Sequence, residues 1–291
     1  MKLVTFTRNG TLAIGALDGE EVIDFTALDV PRDMLGFIAA GEAALEAVKQ
    51  GAGAAPRHPL ASVTLIAPIP RPHRNIMCVG KNYHAHATEF AQSGFDASAA
   101  EDIPAHPVIF SKLPSTVSNP GDPIDVSLDP TGSVDYEGEL AVVIGTGGRG
   151  ITKADALGHV YGYTIVNDVT SRELQKKHRQ WLIGKSLDGF CPMGPTLVTA
   201  DEVPDPTALQ LITDVNGERR QDAPVSDLIF DIPTLIETLS AGITLEAGDI
   251  IATGTAAGVG IGFTPPKYLK AGDRVAITIE PIGRLENPVV A

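Results

Sequence analysis

The chain has 291 residues, 43% hydrophobic and 20% charged, which is room for a sizeable core in an ordinary soluble globular protein. Its 22 Lys and Arg stand against 36 Asp and Glu, and this net charge of −14 argues against nucleic acid or an anionic membrane as the main partner. The only cysteines are Cys78 and Cys191; with no Cys-x-x-Cys, neither a thiolate zinc site nor a disulfide framework is expected.

Residues 1–70 read as a small N-terminal unit. Lys2 to Phe6 and Thr11 to Ala16 form a hairpin around Asn9-Gly10, a favoured turn pair. A short strand is expected at Glu21 to Phe25 and a helix at Pro31 to Lys49. A linker (Gly51 to Pro59) and a polyproline-like stretch (Pro68 to Pro72) place the boundary near residue 70. The first ten residues carry no apolar core of signal-peptide length, and no run approaches the ~18 apolar residues of a membrane span. A reduced, cytoplasmic setting is expected.

From 71 to 291 short strands alternate with loops. Strands are predicted at Asn75 to Gly80, Val108 to Phe110, Gly138 to Ile144, Tyr161 to Asn167, Thr196 to Thr199, Gln210 to Val215, Asp249 to Thr253 and Arg274 to Ile279. Helices are predicted at Tyr83 to Ala91 and Ile232 to Leu239. This is a β-rich mixed α+β fold, with too few helices to cover both faces of a parallel sheet.

Several stretches carry chemistry. His86 and Glu89 lie three apart on the predicted helix, so a carboxylate stands beside an imidazole, an arrangement that suits a general base. Glu137 and Glu139 lie two apart at the head of a continuous apolar run, which points both carboxylates the same way at the edge of a core. No Lys or Arg lies within ten residues before Glu137 or nine after Glu139, so a divalent metal is the simplest partner. Asp168 ends the next apolar strand. Three carboxylates without His or Cys make a hard oxygen site, favouring Mg²⁺, Mn²⁺ or Ca²⁺. Lys185 follows an apolar run and could counter developing negative charge. The strand ending at Thr253 runs into a glycine loop through Gly254, and such loops present backbone N–H groups to anions.

Each stretch has a plain alternative. Surface acids, a turn cap, an exposed His–Glu pair, a snorkelling lysine and an ordinary turn would explain them one at a time. The literal G-x-G-x-x-G of Gly145 to Gly150 is rejected as a dinucleotide fingerprint. Its expected helix, Lys153 to Leu157, starts late and is too short for a crossover of about ten residues.

Taken together, the stretches resemble the fumarylacetoacetate hydrolase superfamily. The carriers are Gly80-Lys81-Asn82-Tyr83 with His86 and Glu89, Phe110-Ser111-Lys112, Asp135-Tyr136-Glu137-Gly138-Glu139-Leu140, Asn167-Asp168-Val169, Gly184-Lys185-Ser186, Cys191-Pro192-Met193-Gly194-Pro195 and Gly248 to Thr255. The resemblance implies a mixed β-sandwich roll with a small N-terminal domain, a homodimer, and a Mg²⁺ or Mn²⁺ site at Glu137, Glu139 and Asp168. It implies action on a short 2-oxo acid. The expected reaction is hydrolysis of a C–C bond in a 2,4-dioxo acid of the acylpyruvate or fumarylpyruvate type, giving pyruvate and a second acid. His86 and Glu89 would activate water and Lys185 would stabilise the enolate. Lys112, Gly254 and Thr255 would bind substrate. The alternatives within the superfamily are an oxaloacetate decarboxylase or tautomerase and a 2-hydroxymuconate-type isomerase or decarboxylase. Outside it stands a non-enzymatic small-molecule binding protein. Two positions depart from the common pattern: Leu113 separates Lys112 from Pro114, and Ala256 follows Thr255. The long segment 90–107 is expected to act as a lid.

Overall fold

The computed structural model describes residues 1–94 and 103–291. The lid expected at 90–107 falls in large part on residues 95–102, outside the described residues. The architecture is sheet-rich, mixed α+β. One sheet runs in the order Arg57–Pro59, Glu21–Asp24, Thr11–Asp18, Lys2–Arg8, Cys191–Thr199, Val160–Asn167, Gly138–Ile144, Ile250–Thr255, Ile76–Gly80 and Val108–Lys112. A second, five-stranded sheet runs Glu218–Pro224, Gln210–Val215, Arg274–Ile279, Gly283–Val290 and Ile124–Asp125. The helices are α1 (Met34–Gly51), α2 (His84–Gln92), α3 (Arg172–His178), α4 (Leu182–Lys185) and α5 (Ile232–Ser240). Among the described residues no helix is long and apolar enough to cross a membrane.

The apolar run at Gly138–Ile144 becomes a strand buried at every position. Its alternation feeds two cores. Leu140, Val142 and Ile144 join the cluster shared with the second sheet, including Leu211, Ile277 and Leu285. Ala141 and Val143 join the cluster that holds α1, through Phe37 and Ile38. The strand therefore has no solvated face, as a continuous apolar run requires. Lys2 pairs with Val198 and Leu3 with Leu197, so the N-terminal strands continue the same sheet.

Most strands fall where the sequence places them. Among the differences, two strands and one helix have clear reasons. Cys191–Thr199 begins five residues before the expected Thr196. Its Pro192, Gly194 and Pro195 read as a break, yet Met193 and Gly194 pair with Val166 and Ile165, with a register shift further along. Glu218–Pro224 is too polar to read as a strand and is held by pairing with Gln210–Val215. The helix expected at Lys153 to Leu157 is a short 3₁₀ turn at Ala156–His159.

Register positions the site. Gly138 stands opposite Asn167, and Glu139 opposite both Val166 and Thr255. Ile250–Thr255 in turn runs parallel to Ile76–Gly80. The start of one strand thus meets the ends of three others at one sheet end.

The close pairing at Gly162 gives a test. A Cβ there would stand 2.2 Å from the Val198 carbonyl oxygen, a backbone atom that cannot rotate away. Gly162→Ala should lower stability by roughly 1–3 kcal/mol. Urea unfolding should show this as a lower midpoint at unchanged slope.

Candidate metal and active site

Glu137, Glu139 and Asp168 come together. Each offers a carboxylate oxygen within 4.8 Å of the others, and all are buried. Asp168 follows the last residue of Val160–Asn167; its N–H donates to the Glu137 carbonyl at 2.8 Å. The Glu137 N–H is taken by the Asn167 side chain at 3.0 Å. Glu139 lies inside its strand and Glu137 one residue before it, so the i, i+2 spacing puts both at the cluster.

The sequence places no Lys or Arg near Glu137 and Glu139, and the structure brings cations to this cluster from distant segments. Tertiary folding supplies what the local sequence lacks. The Lys185 ammonium bridges Glu137 Oε2 at 2.8 Å and Asp168 Oδ2 at 2.7 Å. Lys112 Nζ reaches Asp168 Oδ1 at 2.8 Å. Arg172, at the first turn of α3, meets Glu137 Oε1 with Nη1 at 2.5 Å and Asp135 Oδ2 with Nε at 2.9 Å. All of these side chains are buried.

The balance is uneven. Burial raises Glu137, but Lys185, Arg172 and then His86 outweigh it and hold the carboxyl at about 2. Glu139 has no such partner among the described residues; it receives the Gly254 N–H at 2.9 Å. Burial, then Asp168 and Glu137, push its carboxyl well above the usual carboxylate range. One buried carboxylate in an all-oxygen cluster therefore lacks a counter-charge. A hard divalent cation such as Mg²⁺ or Mn²⁺ fits that donor set.

The expected contact between His86 and Glu89 is present on α2. His86 Nδ1 lies 3.0 Å from Glu89 Oε2, and Glu89 Oε1 accepts the Gly258 N–H at 2.9 Å. A carboxylate on Nδ1 fixes the ring so that Nε2 is the nitrogen left for chemistry. The glycine loop does present N–H groups to anions, but to the protein's own. Gly254 (φ +106°) and Gly258 (φ +104°) sit in the left-handed region, and a Cβ on either would collide with Asn82 or the Arg220 carbonyl. Only glycine can aim these N–H groups at Glu139 and Glu89.

Among the described residues His86, Glu137, Glu139, Arg172, Lys185 and Thr255 line one cleft, and Asp168 stands behind it. Val79, Gly80, Phe90, Phe110 and Trp181 form its apolar wall. Trp181 packs edge-on against Phe110 at 5.1 Å and Phe90 at 6.0 Å. Gly80 makes room for it, since a Cβ would stand 2.4 Å from the indole. Lys185 Nζ also lies 4.9 Å from the Phe110 ring centre, a cation–π contact.

Lys112 and Gly254 do not line the cleft. Lys112 supports Asp168 from behind, with further bonds to the Val169 and Lys185 carbonyls. Thr255 does line it, its hydroxyl donating to the Gly138 carbonyl at 2.9 Å and accepting from Gln221 at 2.7 Å.

Arg172 is the residue that sequence reasoning missed. Among the described residues its Nη2 is buried and without a hydrogen-bond partner, in a side chain that lines the cleft. A buried unpaired guanidinium N–H is costly unless a ligand anion takes it. The available signal was its place four residues after Asp168, among acids that together need more than one cation.

The chain matches the family model described as fumarylacetoacetate (FAA) hydrolase C-terminal over residues 75–290. It is 47% identical to an oxaloacetate tautomerase of Bacillus subtilis, the alignment covering 99% of this chain and 100% of that protein. A solved fumarylacetoacetate hydrolase from Exiguobacterium antarcticum superposes with a TM-score of 0.86 at 44% identity, covering 100% of this chain and 99% of that one. A maleylpyruvate hydrolase from Sphingobium, solved with manganese(II) and pyruvate, gives a TM-score of 0.81 at 33% identity, covering 100% and 99%.

The raised Glu139 carboxyl makes metal binding proton-linked. A group whose pKa is raised holds its proton to higher pH, and that proton must leave when the oxygen becomes a ligand. Mn²⁺ titration calorimetry in buffers of different ionisation enthalpy should show proton release. Affinity should fall by about tenfold for each unit by which pH is lowered while Glu139 is protonated. Glu139→Gln should abolish binding with the fold intact; proton-neutral binding would contradict the raised carboxyl.

Proposed function

The chain belongs to the fumarylacetoacetate hydrolase family, and from that premise we propose that it is a divalent-metal-dependent enzyme interconverting the keto and enol forms of oxaloacetate. The observation that carries this reading is one juxtaposition. His86, held by Glu89, and an arginine with an unpaired buried N–H line the same cleft as the acidic cluster. The full-length similarity to an oxaloacetate tautomerase supports it.

The roles follow from the chemistry. Arg172 Nη2 takes the carboxylate beside the 2-oxo group. In the keto form, His86 Nε2 removes a proton from C3; the electron pair forms the C2=C3 bond and the charge moves to the oxygen on C2. Two of the three Lys185 N–H donors go to Glu137 and Asp168, leaving one for that oxygen. The imidazolium then returns the proton to oxygen, giving the enol, and the reverse order gives the keto acid. Glu89 stabilises the imidazolium while it exists. A cation held by Glu137, Glu139 and Asp168 would supply Lewis-acid polarisation of the 2-oxo group. Lys112 and Gly254 serve charge balance and carboxylate placement.

A second reading, hydrolysis of a 2,4-dioxo acid, uses the same groups, with His86 taking its proton from water. Its support is the likeness to the maleylpyruvate hydrolase. The two readings differ in bonds broken, since tautomerisation breaks only C–H and O–H.

The ultraviolet absorbance of enol-oxaloacetate should decay faster with enzyme and Mn²⁺, with no pyruvate formed. His86→Ala should lower the rate by about 10²–10⁴-fold. Pyruvate release from an acylpyruvate without any effect on oxaloacetate would favour hydrolysis instead.

The apolar wall sets the size limit. Trp181→Ala should admit longer 2,4-dioxo acids, lowering their KM, while weakening oxaloacetate selectivity by roughly 10–200-fold. An unchanged substrate profile would remove Trp181 from that role.

A further inference from the structure

We propose that Asp135 is a positioning residue that fixes the His86–Glu89 pair against the Arg172 and carboxylate cluster. The inference rests on the site described above, not on which 2-oxo acid it takes. Asp135 is fully buried and does not line the cleft, so it meets no substrate. It nevertheless has four donors. Oδ1 accepts from the N–H of Tyr136 at 2.9 Å and of Gly260 at 2.6 Å. Oδ2 accepts from the Ile261 N–H at 3.0 Å and from Arg172 Nε at 2.9 Å.

These donors come from the two halves of the site. On one side, the bond to Nε sets the plane of the Arg172 guanidinium. The Nη1 bond to Glu137 and the unpaired Nη2 then have fixed places. The local fold prepares this, because Asp135 pairs with Thr170 in a two-stranded ladder and Arg172 follows two residues later. On the other side, Asp135 caps the 3₁₀ turn Gly260–Gly262. That turn backs Glu89 directly, for a Cβ on Gly262 would stand 1.8 Å from Glu89 Oε1. The same loop supplies the Gly258 N–H to Glu89, and the neighbouring Tyr136 hydroxyl holds the Gly258 carbonyl at 2.8 Å. One carboxylate therefore ties the guanidinium and the general-base pair into one unit. An amide cannot replace it, since its NH₂ would face an N–H donor in place of an acceptor oxygen.

Two variants separate the arms. Asp135→Asn disturbs both. Gly260→Ala puts a Cβ 2.6 Å from Asp135 Oδ1 and 2.6 Å from the Lys267 carbonyl, on the turn side of the carboxylate, whereas Arg172 bonds the other oxygen, Oδ2. Thermal melting checks the fold of each. Oxalate binding to the Mn²⁺-loaded protein reads the Arg172 arm through the fluorescence of Trp181, the chain's single tryptophan. Steady-state kinetics on oxaloacetate, or on acetopyruvate if only that is turned over, reads the base arm.

In Asp135→Asn, kcat should fall and the oxalate Kd rise, each by about 10–100-fold. In Gly260→Ala, kcat should fall over the same range with oxalate affinity within about twofold. Adding Glu89→Gln to either variant should cost little more than Glu89→Gln alone, because the lost step is shared. Folded Asp135→Asn with unchanged kcat and oxalate affinity would overturn the proposal, as would losses that multiply with Glu89→Gln. If Asp135→Asn does not fold, the kcat-only loss in Gly260→Ala and its cycle with Glu89→Gln decide the matter. Failure of the wild type on oxaloacetate would sink the tautomerase reading and leave the oxalate result for Asp135 standing.

Discussion

Everything at this site follows from burying acids. Asp135, Glu137, Glu139 and Asp168 are all buried at one end of a sheet. Removing carboxylates from water costs several kcal/mol each unless cations and N–H donors replace the lost hydration. The chain answers with Lys112, Arg172 and Lys185, each buried in turn, and with backbone N–H groups from two left-handed glycines and a 3₁₀ turn. Glu139 receives one of those N–H groups and, among the described residues, no ion pair. The imbalance leaves a binding energy for a divalent cation, and the nearby unpaired Arg172 N–H leaves one for an organic anion.

The two-sheet architecture makes such a cluster possible. The strand that bears Glu139 is apolar on both faces and cannot slip without exposing one core or the other. Its fixed register against Val160–Asn167 and Ile250–Thr255 brings Asp168 and Thr255 to Glu139. The second sheet contributes Gln221, whose amide takes the Gly138 N–H and donates to Thr255, closing the sheet end behind the cleft. Buried ion pairs of this kind add little net stability, and their value lies in geometry. Here they hold an imidazole, a guanidinium and an oxygen cluster around one cleft.

The acidic residues and the His86–Glu89 pair were legible in the sequence because their signals are local. An i, i+2 spacing in a strand and an i, i+3 spacing on a helix each fix a direction without tertiary information. Gly138–Ile144 was legible for the same reason, as an unbroken apolar run. Arg172 was not, because Arg172–His178 is a short polar helix that reads as a solvated face. What makes it buried is the pairing of Val134 and Asp135 with Ser171 and Thr170, a contact across more than thirty residues. Arguing for a metal from the absence of nearby Lys or Arg was incomplete for that reason. The cations arrive from distant segments, and the case for a metal survives on Glu139 alone. The glycine loop reads as a presenter of N–H groups to a substrate anion, whereas the folded loop turns them to the protein's own Glu139 and Glu89.

The central claim is that Glu139's missing counter-charge is a divalent metal shared with Glu137 and Asp168, beside an anion held by Arg172. A crystal structure of the protein with Mn²⁺ and oxalate tests this most directly. The account predicts anomalous density for manganese bonded to Glu137, Glu139 and Asp168, with an oxalate oxygen on Arg172 Nη2. Manganese elsewhere, or oxalate held without Arg172, would contradict it.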